Sequence, residues 1–292
     1  MKAVFLETDT SKMCTAGCGG VIKKSFFPQC VEDLDDISRQ LAVEEYVILG
    51  GMSNTLVLPS YEGAAVFTGL LKGISVRGNS IRVKSGESFV KLCGAAQYAS
   101  LGGLENFFGL PGTVGGAVSG NSGCFGSSIS ELVESVTVYK LDTGETEELS
   151  GEEIAFGYRY CNLRKNKDLI LDVTLSLYKE NARKIAEKMA EVRRKRLISQ
   201  PKGRSLGSFF KQYRGVSAGY YIEQAGLKGY SENGVTVSDV HANFLINDGG
   251  SAEDYLRAAE YAAQKVYEKF GIKLEREVVV VGEENRQRNR DR

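Results

Sequence analysis

Apolar positions recur along this chain with two periods, and the switches between them mark its organisation. Leu34, Ile37 and Leu41 fall three and four apart after Pro28, the spacing of one helical face. Tyr46-Val47-Ile48-Leu49 is a short apolar run closed by Gly50-Gly51, which predicts a strand running into a glycine turn. Leu56-Val57-Leu58 beyond it suggests a βα or ββ unit. The middle of the chain alternates. Ile74 and Val76, then Ile81 and Val83, flank Gly78-Asn79 and predict a hairpin. Val136, Val138 and Leu141 before Asp142-Thr143-Gly144 predict a second one. Leu171, Val173, Leu175 and Leu177 predict a period-2 strand. Residues 87–100 predict a helix with Val90 and Leu92 inward.

Helical periodicity returns at 180–196 with Ile185, Met189 and Val192, and this helix must stop before Pro201. Its last turn, Arg193-Arg194-Lys195-Arg196, places cations at the negative helix end. A domain boundary is expected at 196–201. Ser251 and Asp254 are suited to cap a final helix that buries Leu256, Ala259, Ala263, Val266 and Phe270 and stops at Gly271. A strand at Val278–Val281 follows, and the polar run 284–292 is expected to be disordered.

Composition narrows the class. Lys+Arg and Asp+Glu are both 37, so no global charge draws the chain to nucleic acid or an anionic membrane. The six cysteines show no CxxC pair and His241 is the only histidine, so no metal site is expected. No stretch reaches the roughly 18 apolar residues of a membrane span. A cytoplasmic protein with reduced thiols is the expectation. Glycine is the outlier, at 34 of 292 residues, about 12% against a usual ~7%. It clusters in short runs where backbone must turn or approach a ligand.

Four constellations follow from that clustering. Gly50-Gly51-Met52-Ser53-Asn54 can present backbone N–H donors to a phosphate, but matches neither the P-loop nor the dinucleotide fingerprint. The run Gly109 to Val118, with Asn121, Gly123 and Gly126 after it, is poor in side chains. It suits wrapping an extended cofactor with backbone, the alternative being a cluster of structural turns. Phe156-Gly157-Tyr158-Arg159 sets an arginine beside aromatics. Gly207-Ser208-Phe209-Phe210-Lys211 lacks the nucleophile-elbow pattern, so Ser208 is a candidate proton donor rather than a nucleophile.

In this order the motifs resemble the UDP-N-acetylenolpyruvoylglucosamine reductase family. The likeness covers Thr15 to Gly282 and includes Leu110 to Val118, Tyr158-Arg159, Gly207 to Lys211 and Leu274-Glu275-Arg276-Glu277-Val278. It implies an α+β chain with a two-part FAD-binding domain of the vanillyl-alcohol-oxidase (PCMH) type at 1–198, divided near 68. A smaller α+β substrate domain at 199–283 follows. With no large insertion between Ala218 and Asn243, the chain resembles the compact variant of the family. The resemblance further implies non-covalent FAD, NADPH as hydride donor and the enolpyruvyl nucleotide sugar as substrate, in a monomer serving peptidoglycan synthesis.

By the same resemblance, Gly50, Gly51, Met52, Ser53, Asn54, Pro111, Gly112, Thr113, Gly115, Gly116, Asn121 and Gly123 hold the cofactor. Arg159, Ser208 and Glu277 are catalytic, and Tyr158, Arg204, Lys211 and Gln212 meet the substrate. Three positions depart from the family pattern. Met52 stands for a third glycine, Gln212-Tyr213 for Asn-Pro, and Cys161 for a common serine. A flavin oxidase and a non-enzymatic nucleotide-sugar-binding paralogue are the competing expectations.

Overall fold

The structure is a computed structural model that describes residues 5–42 and 44–283, so the polar run expected to be disordered lies outside the described residues. The chain packs as two units that interleave in sequence. One comprises Met1–Leu6, Lys24–Gly51 and Gly63–Lys195, the other Glu7–Lys23, Met52–Glu62 and Arg196–Arg292.

In the first unit, the end of strand Val21–Phe26 and the whole of Tyr46–Leu49 pair in parallel with Ala64–Phe67. Helix Glu32–Leu41 lays Leu34, Ile37 and Leu41 on these strands, each at most 2% exposed. A five-stranded antiparallel sheet follows, in the order Glu145–Ser150, Val133–Lys140, Leu169–Ser176, Ser80–Lys84, Ile74–Arg77. Both predicted hairpins lie within it.

The period-2 run through Leu175 does not share one face. Thr137 pairs with Asp172 but Val138 pairs with Ile170, so Leu171 is an extra residue that bulges the strand. The bulge sends Leu169 and Leu171 to the core under helix Glu32–Leu41. It leaves Val173 and Leu175 in a second core with helices Phe89–Tyr98 and Val114–Ser119. Beside the bulge the buried Asp172 carboxylate accepts from Arg82 Nε at 2.5 Å and Lys84 Nζ at 3.0 Å.

Two helices keep part of the predicted face, with Leu92, Leu256, Ala259 and Val266 buried as expected, and lose part of it. Ser88 caps the helix that starts at Phe89, so Phe89, Leu92, Cys93 and Ala96 turn inward and Val90 is 54% exposed. In helix Ala252–Phe270 the buried stripe runs through Tyr255, Ala259, Ala262 and Val266. Ala263 is only partly covered and Phe270 is exposed. Both of its ends follow the sequence: Ser251 and Asp254 form a capping box, and Gly271 is left-handed.

The second unit draws on distant segments. Thr55–Val57 pairs in parallel with Val279–Val281. Asn247 Nδ2 donates to the Ala16 carbonyl at 2.8 Å. The buried Tyr255 hydroxyl donates to Leu245 O and accepts from Leu206 N–H. Among the described residues no helix is long and apolar enough to cross a membrane.

Candidate active site and cofactor cradle

The first unit folds its two glycine loops onto one another. A Cβ on Gly51 would stand 2.8 Å from Gly112 Cα, and one on Gly50 would stand 2.7 Å from Thr113 Oγ1. Side chains at either position would push the loops apart, so the absence of Cβ is what lets strand Tyr46–Leu49 deliver its turn against the start of helix Val114–Ser119. Thr113 caps that helix by accepting from Gly116 N–H, while Val114 and Gly115 donate to Glu87 and Ser85 carbonyls. The first-turn amides are therefore engaged. Pro111 and Gly116 are the exposed positions of this loop.

The downstream loop is tied to the same place. The buried Asn121 donates through Nδ2 to Gly157 O at 2.8 Å and accepts from Ser130 N–H. Arg159 Nη2 donates to Gly123 O at 3.2 Å, and its guanidinium lies over the exposed Tyr158 ring, 5.2 Å from the centroid. Arg159 has a φ of 54°, a left-handed conformation that costs a non-glycine residue about 1 kcal/mol or more. The unit thus brings Gly50, Gly51, Gly112, Thr113, Gly115, Gly116, Asn121, Gly123, Tyr158 and Arg159 into one connected region.

The second unit assembles the remaining residues around one extended segment. Phe209 N–H donates to Asn243 O and Glu277 N–H donates to Phe209 O, both within 2.9 Å. Ser208 pairs with Phe244, and Phe210 with Arg276. Ser208 therefore sits on backbone clamped from two sides, beside the extended segment that carries Glu277 and leads into strand Val279–Val281. Lys211 forms an ion pair with Glu275 on that same segment, while Gln212 is exposed.

Asn54 joins this group, since its Nδ2 donates to Glu277 O at 3.1 Å. Met52 accepts from Thr15 N–H through its carbonyl. Its φ of 47° keeps the glycine conformation while its side chain is buried at 3% exposure. Ser53 is half-buried. Arg204 is exposed, with its stem laid across Gly17.

Two supporting residues carry no assignment from the sequence. Asn243 is buried and bonds both the N–H and the carbonyl of Phe210, at 2.9 and 2.8 Å, which fixes the Ser208 segment. The partner it holds lies 33 positions away, where no local pattern marks it. His241 accepts from Asn243 N–H through Nδ1, and burial pushes its pKa below the usual imidazole value. The cysteines are thiols, and burial raises that of Cys18 to about 12, far from a reactive thiolate. Among the described residues no cluster of three or more metal-ligating side chains exists.

Comparison with known proteins accounts for both units. Residues 23–150 match the "FAD binding domain" model, and residues 200–281 match "UDP-N-acetylenolpyruvoylglucosamine reductase, C-terminal domain". The UDP-N-acetylenolpyruvoylglucosamine reductase of Thermotoga maritima is 38% identical over 90% of this chain and 93% of its own. That of Clostridium botulinum (strain Okra) is 35% identical over 97% and 94%. The crystal structure of the Thermus caldophilus reductase superposes with a TM-score of 0.82 at 31% identity, covering 96% of this chain and 99% of that one. With its cofactor domain and its C-terminal domain both matched and whole-length relatives above 30% identity, the chain belongs to the UDP-N-acetylenolpyruvoylglucosamine reductase family of FAD-dependent oxidoreductases.

Proposed function

We propose that this chain catalyses NADPH-dependent reduction of UDP-N-acetylglucosamine enolpyruvate to UDP-N-acetylmuramate. The observation that carries the reading is the close approach of Gly51 to Gly112 and of Gly50 to Thr113, a cradle whose space a Cβ would fill, in a chain of this family. Gly50 to Asn54, Pro111 to Gly116, Asn121 and Gly123 are the residues assigned to hold the cofactor. When bound, FAD supplies the two-electron relay between NADPH and the substrate. Overall, a hydride equivalent from NADPH and one proton saturate the enolpyruvyl C=C bond. The hydride equivalent adds to the terminal carbon and the proton to the carbon bearing the carboxylate.

The chain's own groups are suited to that balance. Arg159 presents a planar guanidinium whose fork fits a carboxylate, and its bond to Gly123 O orients it in advance. Fixed positive charge acts most strongly where negative charge develops during reaction. Ser208, on its clamped segment, delivers the proton to the carbon next to that carboxylate. Glu277, on the adjoining segment, polarises the developing enolate, and Tyr158, Arg204, Lys211 and Gln212 hold the substrate. The activity places the protein in cytoplasmic cell-wall biogenesis, and so in cell shape, division and the cell cycle, as a monomer.

Anaerobic absorbance separates the steps. NADPH bleaches the FAD band of the wild type, and the enolpyruvyl nucleotide sugar restores it. Ser208→Ala is expected to bleach normally and to lose about 10²–10⁴ in the restoring step, the usual contribution of a general acid. Normal restoration in that variant removes Ser208 from its role, and absence of restoration in the wild type removes the substrate assignment.

A further inference from the structure

The Ser208 segment does not keep one register with the chain beside it. Residues 204–209 run antiparallel to residues 243–247. At one end Asn247 N–H donates to Arg204 O, which sets Ser205 opposite Ile246. At the other end Phe209 N–H donates to Asn243 O, and Ser208 stands opposite Phe244. From Ser205 to Ser208 is three steps, and from Ile246 to Phe244 is two. One extra residue is therefore bulged out on the Ser208 side. Gly207 accommodates it with a φ of 76°. A Cβ there would meet nothing within 4 Å, so backbone conformation and not crowding is what calls for glycine.

A buried side chain is wedged into the bulge. The register at Ser205 asks Leu206 N–H to donate directly to Leu245 O. The Tyr255 hydroxyl stands between them instead, accepting from Leu206 N–H at 3.1 Å and donating to Leu245 O at 2.9 Å. Tyr255 is fully buried on helix Ala252–Phe270, with its ring 6.0 Å from that of Phe209. Burial raises its pKa, so the hydroxyl keeps the proton it donates. The inserted oxygen satisfies both backbone groups and holds them farther apart than one direct bond of about 2.9 Å would. The consequence falls on the next side chain but one. In an unbroken strand Leu206 and Ser208, two apart, would share a face. Leu206 is buried at 2% exposure, and the extra residue turns the half-buried Ser208 away from that face.

We infer that Tyr255 is a positioning residue for the proton-transfer step: its hydroxyl props open the bulge at Gly207, and the bulge aims Ser208. The inference rests on the activity proposed above and on the part Ser208 takes in it. Tyr255 acts through the Leu206–Gly207 backbone and not on the substrate. It joins helix Ala252–Phe270 to the proton donor, so the rigidity of a buried helix is lent to a segment whose own ladder is broken.

Tyr255→Phe deletes the hydroxyl and keeps the ring, and anaerobic absorbance reads the effect. NADPH is expected to bleach the FAD band at the wild-type rate. Restoration by the enolpyruvyl nucleotide sugar is expected to slow about ten- to hundredfold, the scale of loss from misplacing a reacting group by about 1 Å. The loss is expected in kcat, with KM for the sugar unchanged. In a Ser208→Ala background Tyr255→Phe is expected to slow restoration no further, because no proton donor is left to aim. Restoration at the wild-type rate in Tyr255→Phe, or a loss by the same factor in both backgrounds, overturns the inference. Should Tyr255→Phe not fold, Gly207→Ala gives the same pair of measurements, since it opposes the left-handed bulge without a side-chain contact. Absence of restoration in the wild type removes the proposed activity and the inference together. Restoration in the wild type with equal losses in the two backgrounds removes the inference alone.

Discussion

Met52 is a left-handed methionine where the family pattern has glycine, and its side chain is buried at 3% exposure. Two terms oppose each other here. Left-handed backbone costs a non-glycine residue roughly 1–2 kcal/mol, whereas burying a methionine side chain stabilises by about 1.5–3 kcal/mol. Glycine also loses more chain entropy on folding. Met52→Gly is therefore expected to lower stability by about 1 kcal/mol, read as a shift in the denaturant midpoint, and a stabilised variant would show that strain dominates. His241 gives a second residue-scale test. Burial lowers its pKa in the folded state, so the unfolded chain binds the extra proton first as pH falls. Its stabilising contribution is complete well above 6.5 and is lost as pH drops through 6.5 toward the lower folded value. As it is the only histidine, His241→Gln is expected to flatten the fall in stability between about pH 7.5 and 5.5.

At the scale of elements, side-chain-poor loops act through how closely they pack. Gly51→Ala places a methyl 2.8 Å from Gly112 Cα, backbone that cannot rotate away as a side chain would. The variant is expected to keep its circular-dichroism spectrum and lose at least about tenfold in FAD affinity, measured by flavin fluorescence, because misplaced backbone donors forfeit over 1.4 kcal/mol. An unchanged affinity would move the cradle elsewhere. The glycines themselves were legible in the sequence as a region built for close approach. Which glycine meets which was not, because Gly51 and Gly112 lie 61 positions apart and no local propensity links them. The bulge at Leu171 makes the same point for hydrophobic pattern. Alternation read correctly as a strand, but one extra residue split its inward positions between two cores.

Over the whole molecule, the second unit is discontinuous. Its strand Val279–Val281 pairs with Thr55–Val57, Leu58 N–H donates to Val281 O, and Asn247 anchors Ala16. A polypeptide of residues 196–283 lacks those partners and leaves Asn247 and an edge strand unsatisfied. It is expected to give a poorly dispersed amide NMR spectrum. A fragment adding segments 7–23 and 52–62 through linkers is expected to recover dispersion. A well-folded short fragment would show that the N-terminal segments merely decorate this unit.

By itself the sequence determined the elements and the chemistry available to them. Period, caps and stops placed helices at Leu34 to Leu41 and Ser251 to Gly271, and glycine-rich loops marked where backbone closely approaches backbone. These are local properties, written in neighbours a few residues apart. Only the tertiary structure decided that Asn243 braces the Ser208 segment, that Gly123 holds Arg159, and that residues 52–62 pack with the C-terminal part of the chain. Those outcomes depend on contacts between residues far apart in sequence, where the shape of the partner surface, not the identity of the nearest residues, selects the pairing.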